Sequence, residues 1–438
     1  LHLFYDGAKF FRTYAVDRLN VISSDGRSEK SLQSQLANTG FRDFSSLTCP
    51  TAGAGRSSKK HELRKSYFLQ KGKSMTIPYL PVDVVFHPNW WHKNYGLTFD
   101  YDFFYQPERR VWQEQRMRQL LYERFGEVGL GQKDAPRRPI IGPILMGSAY
   151  LVQEILGCEV KYQEDGNPWV LPRHLTETEV WALQPPDDID ATPSMRQVLA
   201  LMAALEAEFG HLQGDVPLHS VVNIAIDLRG QQYFIDLVDN PPLAAHLHRV
   251  IARTIAAVAG RIKPRTGSVA ISVNRTIASF NPGIFTIPNC SLQMISPAMY
   301  EEFLLEHDTW LGQQLPPVGF HHCGSNAHLF APLYARAGAV YLDVGWGSDV
   351  AACRQALPQA WLGLRLNPVR MLTATPAQAV ADVESLLSAH GQPWDNVAVC
   401  CINMDYGTPD EAIRAIFHTV ARYRGRRENG LAQAYRIG

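Results

Sequence analysis

The chain has no surplus of charge. Its 42 Lys and Arg balance 42 Asp and Glu, so it lacks the broad positive field that holds nucleic acid or an anionic membrane. No apolar run approaches the roughly 18 residues of a membrane span. No stretch joins a basic start, an apolar centre and a small-residue cleavage site, as a secretory signal does. Phosphate-cradling loops are missing as well: no Gly-x-Gly-x-x-Gly follows a β-rich run, and no Gly-x-x-x-x-Gly-Lys occurs. Cysteine is sparse, with 7 residues dispersed over 438. An odd number at that spacing is not a disulfide framework. The expectation is a reduced, cytoplasmic protein with no nucleic-acid or membrane partner. Most of its thiols would pack as small hydrophobes, leaving a few to bind metal.

What is present suits a globular enzyme. Hydrophobic residues make up 46% of the chain and charged ones 19%, enough for one large α/β barrel with an appendage or for two medium domains. Residues 1–74 stand apart, with 13 Lys and Arg against 6 Asp and Glu, Ser and Gly clusters, and no sustained hydrophobic period. A targeting or nucleic-acid-binding arm is one reading. The preferred one is spurious upstream translation, because the first methionine is Met75 and Lys71-Gly-Lys-Ser74 before it can be encoded by a purine-rich ribosome-binding stretch. The expected organisation is a leader over 1–74, disordered or spurious, a barrel over 75–425 and a tail over 426–438. Protein expressed from Met75 should then fold fully.

The C-terminal half alternates β-rich runs with helical ones. Expected strands are Ser268–Val273, Val318–His322, Val340–Val344, Trp361–Leu366 and Asn396–Cys401. The intervening helices are Ala327–Arg336, Ser348–Ala356, Pro376–His390 and Pro409–Arg422. Units of this length demand parallel strands with crossover helices. Thr408-Pro-Asp-Glu411 and Thr375-Pro-Ala-Gln378 read as capping boxes with Pro at the first helical position, and Thr176-Glu-Thr-Glu179 as a box without Pro. Gly338 and Gly391 stop helices. With no dinucleotide loop and with polar residues at strand ends, the pattern favours a (β/α)8 barrel over an open doubly wound sheet. Earlier in the chain, Ser194–Gly210 has the helical spacing of a core-packing helix. Trp90 and Trp91, near His87 and His92, read as core aromatics before pocket walls. Arg109 and Arg110 fall on the solvated face of a helix over Pro107–Phe125.

The chemistry concentrates in Val318-Gly-Phe-His-His-Cys-Gly-Ser-Asn326. Alternate strand residues share a face, so His321 and Cys323 point together at a strand end while His322 points away. An imidazole and a thiolate side by side are two of the three protein ligands of a catalytic zinc, whose fourth position stays open. Cys400 and Cys401 end another strand, and only one of the two can face the site. Cys290 is a reserve ligand. Such a zinc can hold a substrate thiol as thiolate, or hold water for hydrolysis.

These residues resemble a family. His321-His-Cys-Gly324 is similar to the His-x-Cys-Gly element of zinc- and corrinoid-dependent methyltransferases in the uroporphyrinogen decarboxylase superfamily. Ile295–Phe303, Tyr341-Leu-Asp-Val-Gly-Trp-Gly-Ser-Asp349, Leu364-Arg-Leu-Asn-Pro368 and Thr375–Val380 follow in family order, and the likeness runs from about Pro78 to Arg422. The resemblance implies a TIM barrel with its pocket at the C-terminal strand ends. It implies zinc on His321, Cys323 and a distant Cys, matched more closely by Cys401 than by Cys400. It implies a methyl group passed from a corrinoid (cobalamin) carried by a partner protein to a small thiol acceptor such as coenzyme M. Asp349 would orient substrate or a ligand, or would simply charge a helix N-terminus. Two alternatives remain: a metal-free, decarboxylase-like lyase acting on a polycarboxylate, and a non-catalytic barrel that binds a corrinoid protein. The arginine-rich N-terminal signature of the decarboxylase proper has no equivalent here.

Overall fold

The computed structural model describes residues 79–141, 150–214, 216, 218–267 and 283–437, with side chains up to 425. The expected leader and the expected strand Ser268–Val273 lie outside the described residues. Among the described residues there are eight strands: β1 (Val82–Phe86), β2 (Glu159–Lys161), β3 (Trp169–Leu171), β4 (Phe285–Asn289), β5 (Val318–His322), β6 (Ala339–Val344), β7 (Trp361–Arg365) and β8 (Val397–Met404). Strands β2 and β3 form a separate antiparallel pair. The other six form one sheet in the order β1-β8-β7-β6-β5-β4, parallel throughout.

That order distinguishes the two architectures left open by the sequence. Neighbouring strands follow the chain from β4 to β8, and the sheet then continues with β1, the first strand among the described residues. Joining first and last strands is how a barrel closes, whereas a doubly wound sheet reverses its order near the middle. Among the described residues the sheet is a curled, TIM-barrel-like half-barrel that does not close between β4 and β1. The expected eight-strand closure is thus met in part. No helix of the described residues is long and apolar enough to cross a membrane.

The pleat sorts side chains onto two faces. Phe320 stacks on Tyr334 of the helix Ala327–Arg336 at 4.3 Å between ring centroids, and Leu342, Leu362, Leu364, Val399 and Cys401 share the same large core under the helices. The opposite, concave face carries small separate groups: Val85 with Cys400 and Ile402, and Ile284 with Tyr341. Polar residues can therefore occupy the concave face without interrupting the main core.

Local signals in the sequence act as expected at several places. Thr375 and Thr176 make reciprocal capping boxes with Gln378 and Glu179. Gly338 and Gly391 take φ of 82° and 77°, a region where a Cβ is strained. The helix Pro193–Phe209 buries Met195, Val198, Leu201, Met202 and Leu205, a single stripe. Trp90 and Trp91 are core residues, Trp90 lying 4.0 Å from the Phe86 ring centroid. Two expectations fail. Thr408 Oγ1 is buried without a hydrogen-bond partner. The carbonyl of Pro409 accepts from Ala412 and Ile413, so the last helix begins at Asp410, one residue too late for Thr408 to reach its cap position. That helix runs to Ile437, through the expected tail. Arg110 is buried rather than solvated, because its guanidinium donates to the carbonyls of Ile140 and Ile141 at 2.8 and 2.7 Å.

Candidate metal centre

Strands β4 to β7 bring five polar groups to one end of the concave face. The register sets Pro288 beside His321 and His321 beside Asp343. His321 Nδ1 donates to Asp343 Oδ2 at 2.6 Å, and both side chains are buried. That bond leaves Nε2 to face outward, 2.8 Å from Cys323 Sγ. Cys323 stands one residue past the end of β5, where the pleat still points it with His321. Cys290 stands one residue past β4. Together Cys290, His321 and Cys323 place their ligand atoms within 4.8 Å of one another.

Arg365 of β7 completes the cluster from behind. Its Nη1 lies 3.5 Å from His321 Nε2, 3.9 Å from Cys323 Sγ and 3.5 Å from the carbonyl of His322. Its Nε is buried without a hydrogen-bond partner. Cys323 is held well below the usual thiol range, by the hydrogen bond from Cys290 first and then by His321 and Arg365, which together overcome burial. Cys290 is correspondingly pushed well above it, the Cys323 bond and burial acting together. Burial pulls the His321 imidazole down, but the Cys323 thiolate and the Asp343 bond outweigh it and raise the group to about 9. One nitrogen and two sulfurs, with the far side of the imidazole fixed by a carboxylate, fit a zinc ion that keeps its fourth position open.

A second wall comes from outside the sheet. The rings of Tyr150 and His219 lie 4.6 Å apart. Burial lowers His219 to about 4, against a smaller pull from the Cys323 thiolate. Tyr150 is raised by burial first and then by Asp227 and Cys290. Burial raises Asp227 to about 6, against a bond from Gln153.

The other residues singled out in the sequence sit elsewhere. Cys401 lies in the helix-side core with Sγ 3.8 Å from the carbonyl of Leu366, and burial pushes its thiol up to about 12. Cys400 does face the concave side, but its Sγ meets Asp343 Oδ1 at 3.9 Å and stands outside the cluster. The third donor beside His321 and Cys323 is therefore Cys290. Asp349 is exposed and caps the helix Val350–Ala356, accepting from the amide of Ala352 at 2.9 Å. Asp343 and Arg365 carried no distinct signal. They lie inside runs that read as ordinary strands, and only the register between strands brings them to His321.

No protein-family model matches the chain, and no curated protein does. Among solved structures it is similar to a methyltransferase from Methanosarcina mazei, with 14% identity, a TM-score of 0.55, and coverage of 79% of this chain and 94% of that one. At that identity the likeness shows the fold.

Proposed function

We propose that this chain is a methyltransferase whose metal centre, on Cys290, His321 and Cys323, binds zinc and activates a thiol acceptor. The observation that carries the reading is the convergence of these three donor atoms within 4.8 Å, at the C-terminal ends of parallel strands, where barrel enzymes keep their chemistry. The methyltransferase fold of the neighbour agrees with it.

Bound there, zinc would lower the pKa of a thiol in its open position and so supply a thiolate at neutral pH. The protein's own residues prepare that step. Asp343 fixes the tautomer of His321, leaving Nε2 as the donor. Arg365 offsets the negative charge that two thiolates and Asp343 place in a buried site. His219 and Tyr150 form the facing wall and narrow the access of water.

The methyl donor in this reading is a corrinoid held by a partner protein. Exposed apolar side chains follow each of strands β4 to β8 on the same side: Met294, Leu329, Trp346, Val369 and Tyr406. A rim of this kind suits docking of a protein surface over the pocket. A polycarboxylate-binding lyase is less well supported. It needs several converging cations, and among the described residues Arg365 is the one buried cation adjoining the cluster.

The experiment is a zinc measurement on reduced protein beside a Cys323→Ala variant, followed by transfer assays from a methyl-corrinoid protein to small thiols. About one zinc per chain, lost in the variant, and methylated thiol as product are expected. Folded, zinc-supplied protein that holds no metal would end this reading.

A further inference from the structure

Of the three donors, His321 lies inside a strand ladder, whereas Cys290 and Cys323 lie just past strand ends. His321 lies inside β5, laddered to β4 on one side and β6 on the other. Cys323 follows the same two-sided strand. Cys290 follows β4, which in the described sheet pairs with β5 alone. Past the strand end the ladder no longer holds the backbone, so the turn that carries Cys290 needs partners of its own.

A side chain from another layer supplies what is missing. Asn223 sits in the helix Val221–Arg229, where its own amide meets the Ser220 cap. Its Nδ2 donates to the carbonyl of Pro288 at 2.9 Å, and its Oδ1 accepts from the amide of Ser291 at 3.1 Å. The Pro288 carbonyl also receives the amide of Cys290 itself at 2.8 Å. One carboxamide thus spans the turn, gripping the residues on both sides of Cys290. On the strand side Asn289 is anchored as well, donating to Asp308 Oδ2 at 2.9 Å.

We infer that Asn223 is the positioning residue for Cys290, setting whether the metal centre has two sulfur ligands or one. The inference rests on reading the cluster as a metal centre. Only a carboxamide performs both halves of the grip. A carboxylate can accept from Ser291 but has no proton for Pro288, and alanine can do neither. Freed from the grip, the turn carries Cys290 away from Cys323, leaving His321 and Cys323 as the fixed pair.

Cobalt(II) titration of the full reduced chain tests this, because the sulfur-to-cobalt charge-transfer band reports how many thiolates bind the ion. Wild-type protein should take one equivalent with a two-thiolate band, and Cys290→Ser should show the one-thiolate level. Asn223→Ala and Asn223→Asp should bind cobalt about 10- to 100-fold more weakly, with the band reduced toward that of Cys290→Ser. Asn223→Ser, whose hydroxyl can fill one of the two roles without setting a negative charge against the Pro288 carbonyl, should fall between wild type and Asn223→Ala and provides the test if the others fail to fold. A role confined to stability would lower the melting temperature and leave the band per bound cobalt unchanged, and that result overturns the inference. Wild-type protein without a thiolate band would instead remove the metal reading on which it rests.

Discussion

Asp343 and His321 come from neighbouring strands and meet at 2.6 Å in a buried contact. The strand register sets them side by side, so the imidazole is oriented by the sheet itself. A carboxylate behind a ligating histidine fixes its tautomer and raises its basicity. We expect Asp343→Asn to lower zinc affinity about 10-fold and Asp343→Ala up to about 100-fold. Competition against a chromophoric chelator measures this, and unchanged affinity in both variants would separate the carboxylate from the metal.

The three cysteines proposed as third ligand should part cleanly. Cys290→Ala is expected to lose stoichiometric zinc. Cys401→Ala should keep it and lose only about 1–2 kcal/mol of stability from a small core cavity. Cys400→Ala should also keep it. Metal analysis of the three purified variants decides the matter, and zinc loss in Cys401→Ala with retention in Cys290→Ala would reverse the assignment.

Gly345 follows β6 and underlies the Cys323 turn. A Cβ there would lie 2.0 Å from the carbonyl oxygen of Gly324 and 2.5 Å from that of His322. Neither is a flexible side-chain end, so the backbone must move. Gly345→Ala should cost about 3 kcal/mol and weaken metal binding by shifting Cys323. Denaturant melts and zinc titration of the same variant should show both effects together.

Asp308 gives a dependence on pH with a definite sign. Burial raises its carboxyl to about 6, against bonds from Asn289 and Tyr300. Its folded-state pKa thus exceeds the unfolded value of about 3.9. The stabilising effect is complete below about pH 4 and is lost as pH rises through 6. A difference of about two units corresponds to about 3 kcal/mol. We expect the melting temperature of wild-type protein to fall relative to Asp308→Asn between pH 4 and 6. Parallel pH profiles for the two proteins would contradict this.

Much of the frame was legible from local patterns. Val318–His322, Ala327–Arg336 and Pro376–His390 have in the structure the limits that periodicity and capping residues give them. The pairing of His321 with Cys323 follows from strand alternation alone. The third donor was not legible, because adjacent Cys400 and Cys401 at a strand end look equivalent to Cys290 until the register is known. Alternation tells that one of two neighbours faces the site but not how far along the sheet it lies, and Cys400 meets Asp343 instead. Arg110 and Thr408 failed for a related reason. A buried arginine needs carbonyl partners from a distant loop, and a cap depends on which carbonyl opens the helix. Neither is written in the adjacent residues.

The pairing of β1 with β8 sets Val82 beside Val399, almost the full described length of the chain apart. A growing chain leaves the ribosome with β1 exposed and its partner not yet made. Closing so long a loop is entropically slow, and an unpaired apolar edge invites association with other chains. Recovery of this protein from the cell should therefore depend on chaperones that shield the early strand. Rearranging the gene so that β8 immediately precedes β1 would shorten that vulnerable interval.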